Sequence, residues 1–379
     1  MQSKKELLFA AFLVISPLVF FACDDGGGKD SKSSLLTFTT AANPGDAVPV
    51  KVGSETVNMV YANNLDSITF PYASDADTAT LTRKFFVQQT EVTNVVFAAV
   101  MQWAYSKGYI SETGTGNLLS DTTVMYGGQE LYNLDVVDTY RKISYSTADH
   151  AFTVTGGYED HPVIVVSWYG AVMFCNWLTE MIDGNTDNVV YAWTDNGDRG
   201  GTADDSIWQN GETDADDSNT GYRLPSREEW MYAARYIGAT APTAGDLAGE
   251  YLAQSRNSGS ADLTAGYCWT PSYYASGATA DYDNETATRA VAWYDGDSLM
   301  PADANKLMPV AQKSANQLGL YDLSGNAAEW IFTAFNETNR YDLGGSWGSP
   351  AAQMAICSYG YIDPNQTLTG IGIRVVKTR

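Results

Sequence analysis

Four cysteines (Cys23, Cys175, Cys268 and Cys357), two histidines (His150 and His161) and 45 acidic residues are the groups in this 379-residue chain that could do chemistry. Two histidines cannot furnish a multi-histidine metal site. Thiolate pairs suit soft ions such as Cu(I), whereas carboxylates and carbonyls suit hard Ca²⁺. The clearest oxygen-rich spacing runs from Asp322 to Glu329 (DLSGNAAE), where a loop turning at Ser-Gly-Asn carries a carboxylate at each end. No Gly-x-Ser-x-Gly elbow, phosphate loop or His-Glu-x-x-His stretch occurs, so those hydrolase, nucleotide and zinc-protease chemistries have no footing. A hydrolytic carboxylate pair could be drawn from so many acids, but no spacing selects one.

Cys23 carries a different chemistry. It follows Lys4, Lys5 and an apolar run from Leu7 to Phe21 broken only by Ser16 and Pro17, shorter than the roughly 20 residues that span a bilayer. Val19-Phe20-Phe21-Ala22-Cys23 resembles a bacterial lipobox. The expected organisation is a lipoprotein signal peptide at 1–22, a lipidated Cys23 opening a flexible tether at 23–54, and one domain at 55–379. Asp24 to Ser34, rich in Gly, Ser and Asp, cannot bury a core. The implied location is outside the cytoplasm, membrane-anchored through Cys23, on the outer membrane or cell surface. The net charge of −23 becomes one unit more negative when Lys4, Lys5 and Glu6 leave with the signal, which excludes nucleic acid as a partner. With Cys23 acylated, the three remaining cysteines allow at most one disulfide.

The positioning elements read as follows. Residues 35–60 alternate weakly and suggest a first strand or two. Phe85 to Gln89 reads as a strand leading to Thr93-Asn94, which caps a helix burying Val95, Val96, Ala99, Val100 and Trp103. His161 to Val166 reads as an apolar strand, after which Ser167 caps a helix through Trp168, Ala171, Val172, Cys175, Trp177 and Leu178. Residues 183–219 form an acidic surface excursion. Ser226 and Glu229 make a capping box for a helix from Arg227 to Tyr236, with Arg223 and Glu229 as a buried ion pair. Residues 240–290 are irregular. Trp168, Trp177, Trp230, Trp330 and Trp347 read as core pillars, and Gly344-Gly345 as a close backbone approach or positive φ.

Six segments in order (QQTEVTNVVFAAV, HPVIVVSWYGAVMFCNWL, GYRLPSREEWMYAAR, NQLGLYDLSGNAAEW, LGGSW and GIGIRVV) resemble the formylglycine-generating-enzyme, or sulfatase-modifying-factor, family over about residues 55–379. The resemblance implies an α+β variant of the C-type lectin fold, loop-rich with few helices and short strands. It also implies a structural Ca²⁺ held by the Asp322 and Glu329 side chains and the Gly325 and Ala327 carbonyls, with no other cofactor required. The family's enzymes oxidise a substrate cysteine with two copper-binding cysteines five positions apart. Ungapped spacing from Gly372-Ile373-Arg374 puts those positions on Ala351 and Ile356. Cys357 lies one residue off, and Trp347 to Arg374 holds no other cysteine. No catalytic residue is therefore assigned, and the expectation is an enzyme-like scaffold without the catalytic pair.

The layout further resembles the spirochaetal variable lipoproteins of diversity-generating retroelements, whose diversity lies in the last few dozen residues. That likeness implies a ligand-binding segment at 348–369, carried by Gly348, Ser349, Ala351, Ile356, Ser358, Tyr359, Gly360, Tyr361, Ile362, Asp363, Thr367 and Thr369. Tyr359, Tyr361, Ile362 and Asp363 would be the chief contacts with a protein or glycan ligand. Other readings stay open on sequence alone. The tyrosines could pack the last strands, and the chain could be a structural envelope lipoprotein. It could also be a metal-dependent oxidase or sulfatase-modifying enzyme with an altered site, which predicts further metal ligands near Cys357.

Overall fold

The computed structural model describes residues 38–136, 142–191, 219–238, 252–253, 267–295 and 307–379. The expected signal peptide, Cys23 and the expected tether as far as residue 37 lie outside the described residues, as do most of the acidic excursion at 183–219 and half of the irregular stretch at 240–290. The remainder of the stretch expected as tether is not all flexible, since Ala47–Val52 forms a strand.

Two sheets carry the architecture. The first uses β1 (Ala47–Val52), β2 (Glu55–Asn63), β3 (Phe85–Gln88), β4 (Tyr222–Arg223) and β9 (Val376–Thr378), in the order β1-β2-β3-β9-β4, all antiparallel. Alternation decides its inner face: Val48, Val50 and Val52 of β1 point inward and their neighbours outward. The C-terminal strand is inserted between an N-terminal strand and a mid-chain one, so the sheet closes only when the whole domain is present. The second sheet holds β5 (Ala328–Ala334), β6 (Arg340–Leu343), β7 (Tyr359–Ile362) and β8 (Ile371–Gly372), ordered β7-β6-β5-β8. Its β5–β8 contact is parallel and its other pairs antiparallel, leaving β7 on an edge.

Two helices cover the first sheet: α1 (Asn94–Ser106) and α2 (Trp168–Asp183), with Phe97 stacked on Phe174 at 5.5 Å between ring centroids. Ser167 caps α2 as expected, its hydroxyl accepting from Gly170 N–H, and Gly184 ends the helix at φ +73°. The buried face of α1 is rotated from the expected one. Val96 and Val100 are buried with Phe97, Met101 and Ala104, while Val95, Ala99 and Trp103 are only half-buried. Thr93 ends the helix by its extended backbone alone, without a side-chain cap. The expected strand at His161 to Val166 does not form. Pro162 and Val166 make single bridges to Thr93 and Tyr132, and Val165, at φ +58°, turns the backbone out of any ladder.

The local signals around α3 (Arg227–Arg235) hold, the helix ending one residue before the expected Tyr236, which is extended. Ser226 and Glu229 form a reciprocal capping box, and Arg223 grips Glu229 through two nitrogens at 2.6 and 2.5 Å. Burial alone would raise the Glu229 carboxyl, but Arg223 overrides it, with Arg83 adding, and the group is held below its ordinary value. Trp168, Trp177, Trp230 and Trp330 are core pillars. Trp347 is not: it is half-buried, packed against Ile164, Leu307 and Ala327, with its indole N–H donating to the Thr369 carbonyl. Gly344 and Gly345 take φ +92° and +65°, and a Cβ on either would come within 2.7 Å of a backbone carbonyl.

The two sheets are tied by Arg374, which is fully buried. Its Nε donates to Glu329 at 2.7 Å, and its other nitrogens donate to the carbonyls of Gln88 (2.9 Å) and Tyr321 (2.6 Å). Removing one partner of a buried ion pair strands the other charge, at a cost of roughly 3–5 kcal/mol. Arg374→Ala should therefore unfold the chain at far lower denaturant concentration, measured by the urea midpoint. Arg374→Lys should rescue little, because one ammonium cannot reproduce the fork of donors.

Candidate functional site

The segment 348–369 lies over the second sheet. It leaves the Gly-Gly turn, passes through a 3₁₀ turn at Ala351–Met354, runs out along edge strand β7 and returns to β8. Beneath it is a cavity of about 320 Å³. Ser349, Ser358, Tyr359, Gly360, Ile362 and Thr369 line it, so six of the twelve expected ligand residues converge on one space. Gln353 and Leu368 of the same segment join them, and the scaffold supplies Asp342 from β6 with Gly345 and Ser346 from the Gly-Gly turn.

The other six expected residues are distributed differently. Tyr361 stands on the outer surface of β7, 53% exposed and stacked on Phe335 at 4.0 Å. Gly348 and Asp363 are exposed and Thr367 half-buried, and the Asp363 carboxylate is used locally to accept from Asn365. Ala351 is half-buried against a small cluster with Met354 and Tyr294. Ile356 corrects the expectation: at 1% exposure it belongs to the core beside Trp230 and Leu343, so its side chain cannot meet a ligand.

Tyr359 is 49% exposed and bridges the cavity to an aromatic patch outside it. Its ring meets Tyr341 edge-on at 5.4 Å, and the Arg227 guanidinium lies 5.2 Å from it and 4.5 Å from Tyr341. Among the described residues four large hydrophobic side chains are exposed, and Tyr359, Tyr361 and Leu368 are three of them.

Asp342, which sequence reasoning missed, is the unusual group. It is 8% exposed and its Oδ2 has no hydrogen-bond partner. Gly360 sits directly opposite on β7, and a Cβ there would lie 2.3 Å from Oδ2. Burial pushes the carboxyl up to about 6, against only a backbone hydrogen bond that lowers it. An acid between Tyr341 and Leu343, just ahead of Gly344-Gly345, was the available signal, but its inward orientation depends on a register that sequence does not state.

Of the expected Ca²⁺ ligands, one is already fully engaged. Glu329 uses both carboxylate oxygens on protein donors, Arg374 Nε and Trp230 Nε1, at 2.7 Å each. Asp322 accepts from Ala311 N–H through Oδ2, and only its Oδ1 lacks a partner. Gly325 holds a tight turn at φ +81°, and the Ala327 N–H is taken by Glu91. With Glu329 so engaged the set does not fit a cation. Cys175, Cys268 and Cys357 are all free thiols. Burial raises Cys357, while Arg235 and a hydrogen bond with Ser272 oppose it. No cluster of three or more His, Cys, Asp or Glu suited to a metal occurs among the described residues.

The fold defines a loop-rich α+β scaffold of the formylglycine-generating-enzyme type, with few helices and many short strands. The chain belongs to the sulfatase-modifying factor enzyme 1-like domain family, whose match spans residues 36–379. It is similar to the chaperone protein LppX of Paenibacillus barcinonensis, 26% identical over 236 residues covering 58% of this chain and 71% of that protein. Among solved structures it is similar to Treponema denticola variable protein 1, at a TM-score of 0.52 and 20% identity over 88% of this chain and 99% of that one. That level of identity speaks for the fold alone.

A carboxyl raised above its unfolded value of 3.8 favours the folded state while protonated. The stability it supports is present at low pH and is lost as pH rises from about 4 through about 6, at a cost of about 3 kcal/mol. Asp342→Asn should therefore melt a few degrees above wild type at pH 8, and the difference should vanish near pH 4, measured by calorimetry across pH.

Proposed function

We propose that the mature chain is an exported lipoprotein, acylated at Cys23, that binds a macromolecular ligand through the face formed by residues 348–369 and does no chemistry of its own. The observation that carries this reading is the exposure of Tyr359 and Leu368 at the rim of a cavity built from the same segment, with Tyr361 exposed beside them on the outer surface of β7. Exposed aromatics are costly in water and supply large contact area with few rotors to freeze, as in antibody loops. Monomeric surfaces seldom leave such side chains clustered unless they meet a partner. The family's thiol pair has no counterpart at Ala351 and Ile356, and the free Cys357 faces Arg235, Asp75 and Ser272. The chaperone relative points toward family members that engage polypeptides, and so favours a polypeptide ligand over a glycan.

Screening the full chain against protein and glycan arrays, beside a Tyr359→Ala/Tyr361→Ala variant, tests the proposal. Partners of the wild type should be lost from the variant, since truncating a central aromatic anchor typically costs 2 kcal/mol or more, roughly thirtyfold in affinity. Partners bound equally by both proteins would overturn it.

A further inference from the structure

The cavity beneath residues 348–369 has one feature that sets the chemistry of its occupant. Asp342 is more than nine-tenths buried, lines the cavity, and leaves Oδ2 without a hydrogen bond. No lysine, arginine or histidine is among the groups that move its proton affinity; burial and its own backbone are the causes. A buried carboxylate without a counter-charge is expensive, and such groups in folded proteins are paired or bind a cation. Nothing within the described part of the chain pairs this one.

The strand opposite is shaped to leave it open. Gly360 pairs with Asp342 across β6 and β7, and a Cβ at that position would come 2.3 and 2.5 Å from the two carboxylate oxygens. Any other residue at 360 would press on the carboxylate or displace it. Around the carboxylate the cavity presents the hydroxyl residues Ser346, Ser349 and Ser358, with Tyr359 and Leu368 as exposed apolar rims. Hydroxyl lone pairs can accept the remaining hydrogens of an ammonium, and the rims can cover an aliphatic stem.

We propose that this cavity is a receptor for a primary ammonium group on an aliphatic stem, such as the lysine side chain of a partner polypeptide. Asp342 is its counter-ion and Gly360 the gap through which the two meet. The inference rests on the reading of this face as a ligand-binding face and names the group the face selects. A guanidinium presents a planar fork of five donors and calls for paired acceptors, whereas one carboxylate among hydroxyls matches a compact point charge. A bare metal ion would need more ligating side chains than the single carboxylate here, and no cluster of three exists among the described residues. A neutral hydroxyl would leave the buried charge uncompensated. The acidic balance of the whole chain, −23, draws cations toward the surface as a further aid. Arg227, the cation of the aromatic patch outside the cavity, is engaged over the rings of Tyr72, Tyr341 and Tyr359.

Calorimetric titration of the full chain with Nα-acetyl-lysine amide, beside its Nε-acetylated counterpart, separates charge from shape. The lysine derivative should bind and the neutral one should bind at least roughly tenfold more weakly. Asp342→Asn and Gly360→Ala should each weaken the lysine derivative by roughly tenfold or more. A melting curve on each variant confirms that it is folded, and the near-isosteric Asn keeps the test sound if the alanine disturbs β7. Equal binding of the two derivatives, or an Asp342→Asn variant that binds as well as wild type, overturns the proposal. If array partners still depend on Tyr359 and Tyr361 while the lysine derivative does not bind, the ammonium assignment fails and the ligand face stands. If no partner depends on those tyrosines, the ligand face itself fails.

Discussion

One guanidinium, that of Arg374, sits where the two sheets meet and is fully excluded from water. It is ion-paired to Glu329 of β5 and donates to the carbonyls of Gln88 in β3 and Tyr321 in the loop before β5. Two more buried carboxylates, Glu91 and Asp322, feel its charge, and burial raises both, Glu91 most strongly. Glu91 is in turn fastened to the same loop by the Asn326 amide and the Ala327 N–H, at 2.9 and 2.8 Å. A network like this is favourable only when every member is present, because each charge left alone in low dielectric is costly. The last residues of the chain must therefore arrive before the middle is stable.

The placement of the candidate face follows from that constraint. Arg374 fixes β8 and β9 on either side of itself, and the Gly-Gly turn is fixed by backbone contacts to Leu323 and Gln353 that admit no Cβ. Residues 348–369 span the gap between two anchored ends. Their outward side chains carry little of the core: Tyr359, Tyr361 and Leu368 are exposed, while inward Met354, Ala355 and Ile356 keep the segment seated. Stability and recognition are thus assigned to different residues of one short stretch. Asp342 is the exception, a scaffold residue whose cost in stability is explicable if a ligand relieves it.

What was legible in the sequence was local. Ser226 and Glu229 stand three apart and cap a helix, Arg223 is within reach of Glu229 around the same turn, and Ser167 begins α2; each rests on contacts spanning a handful of residues. The glycine pair at 344–345 was equally readable, since only a backbone requirement explains two glycines before a tryptophan. What failed depended on distant partners. His161 to Val166 is apolar because Val163, Val165 and Val166 are buried in the main core and Ile164 beside Leu307 and Ala327, and apolarity alone could not tell a buried irregular segment from a strand. The Arg374–Glu329 pair joins residues 45 apart, and it occupies a carboxylate that family likeness assigned to Ca²⁺. The inward turn of Asp342 and the burial of Ile356 are matters of register, which the neighbouring residues do not specify.

On this reading the outer residues of the segment serve recognition and not the packing of the last strands. Thermal unfolding of the full chain with Tyr359, Tyr361 and Leu368 replaced together by serine tests it most directly. The melting midpoint should stay within a few degrees of wild type, because half-exposed side chains bury little apolar area. A fall of tens of degrees would contradict it and return these tyrosines to the core.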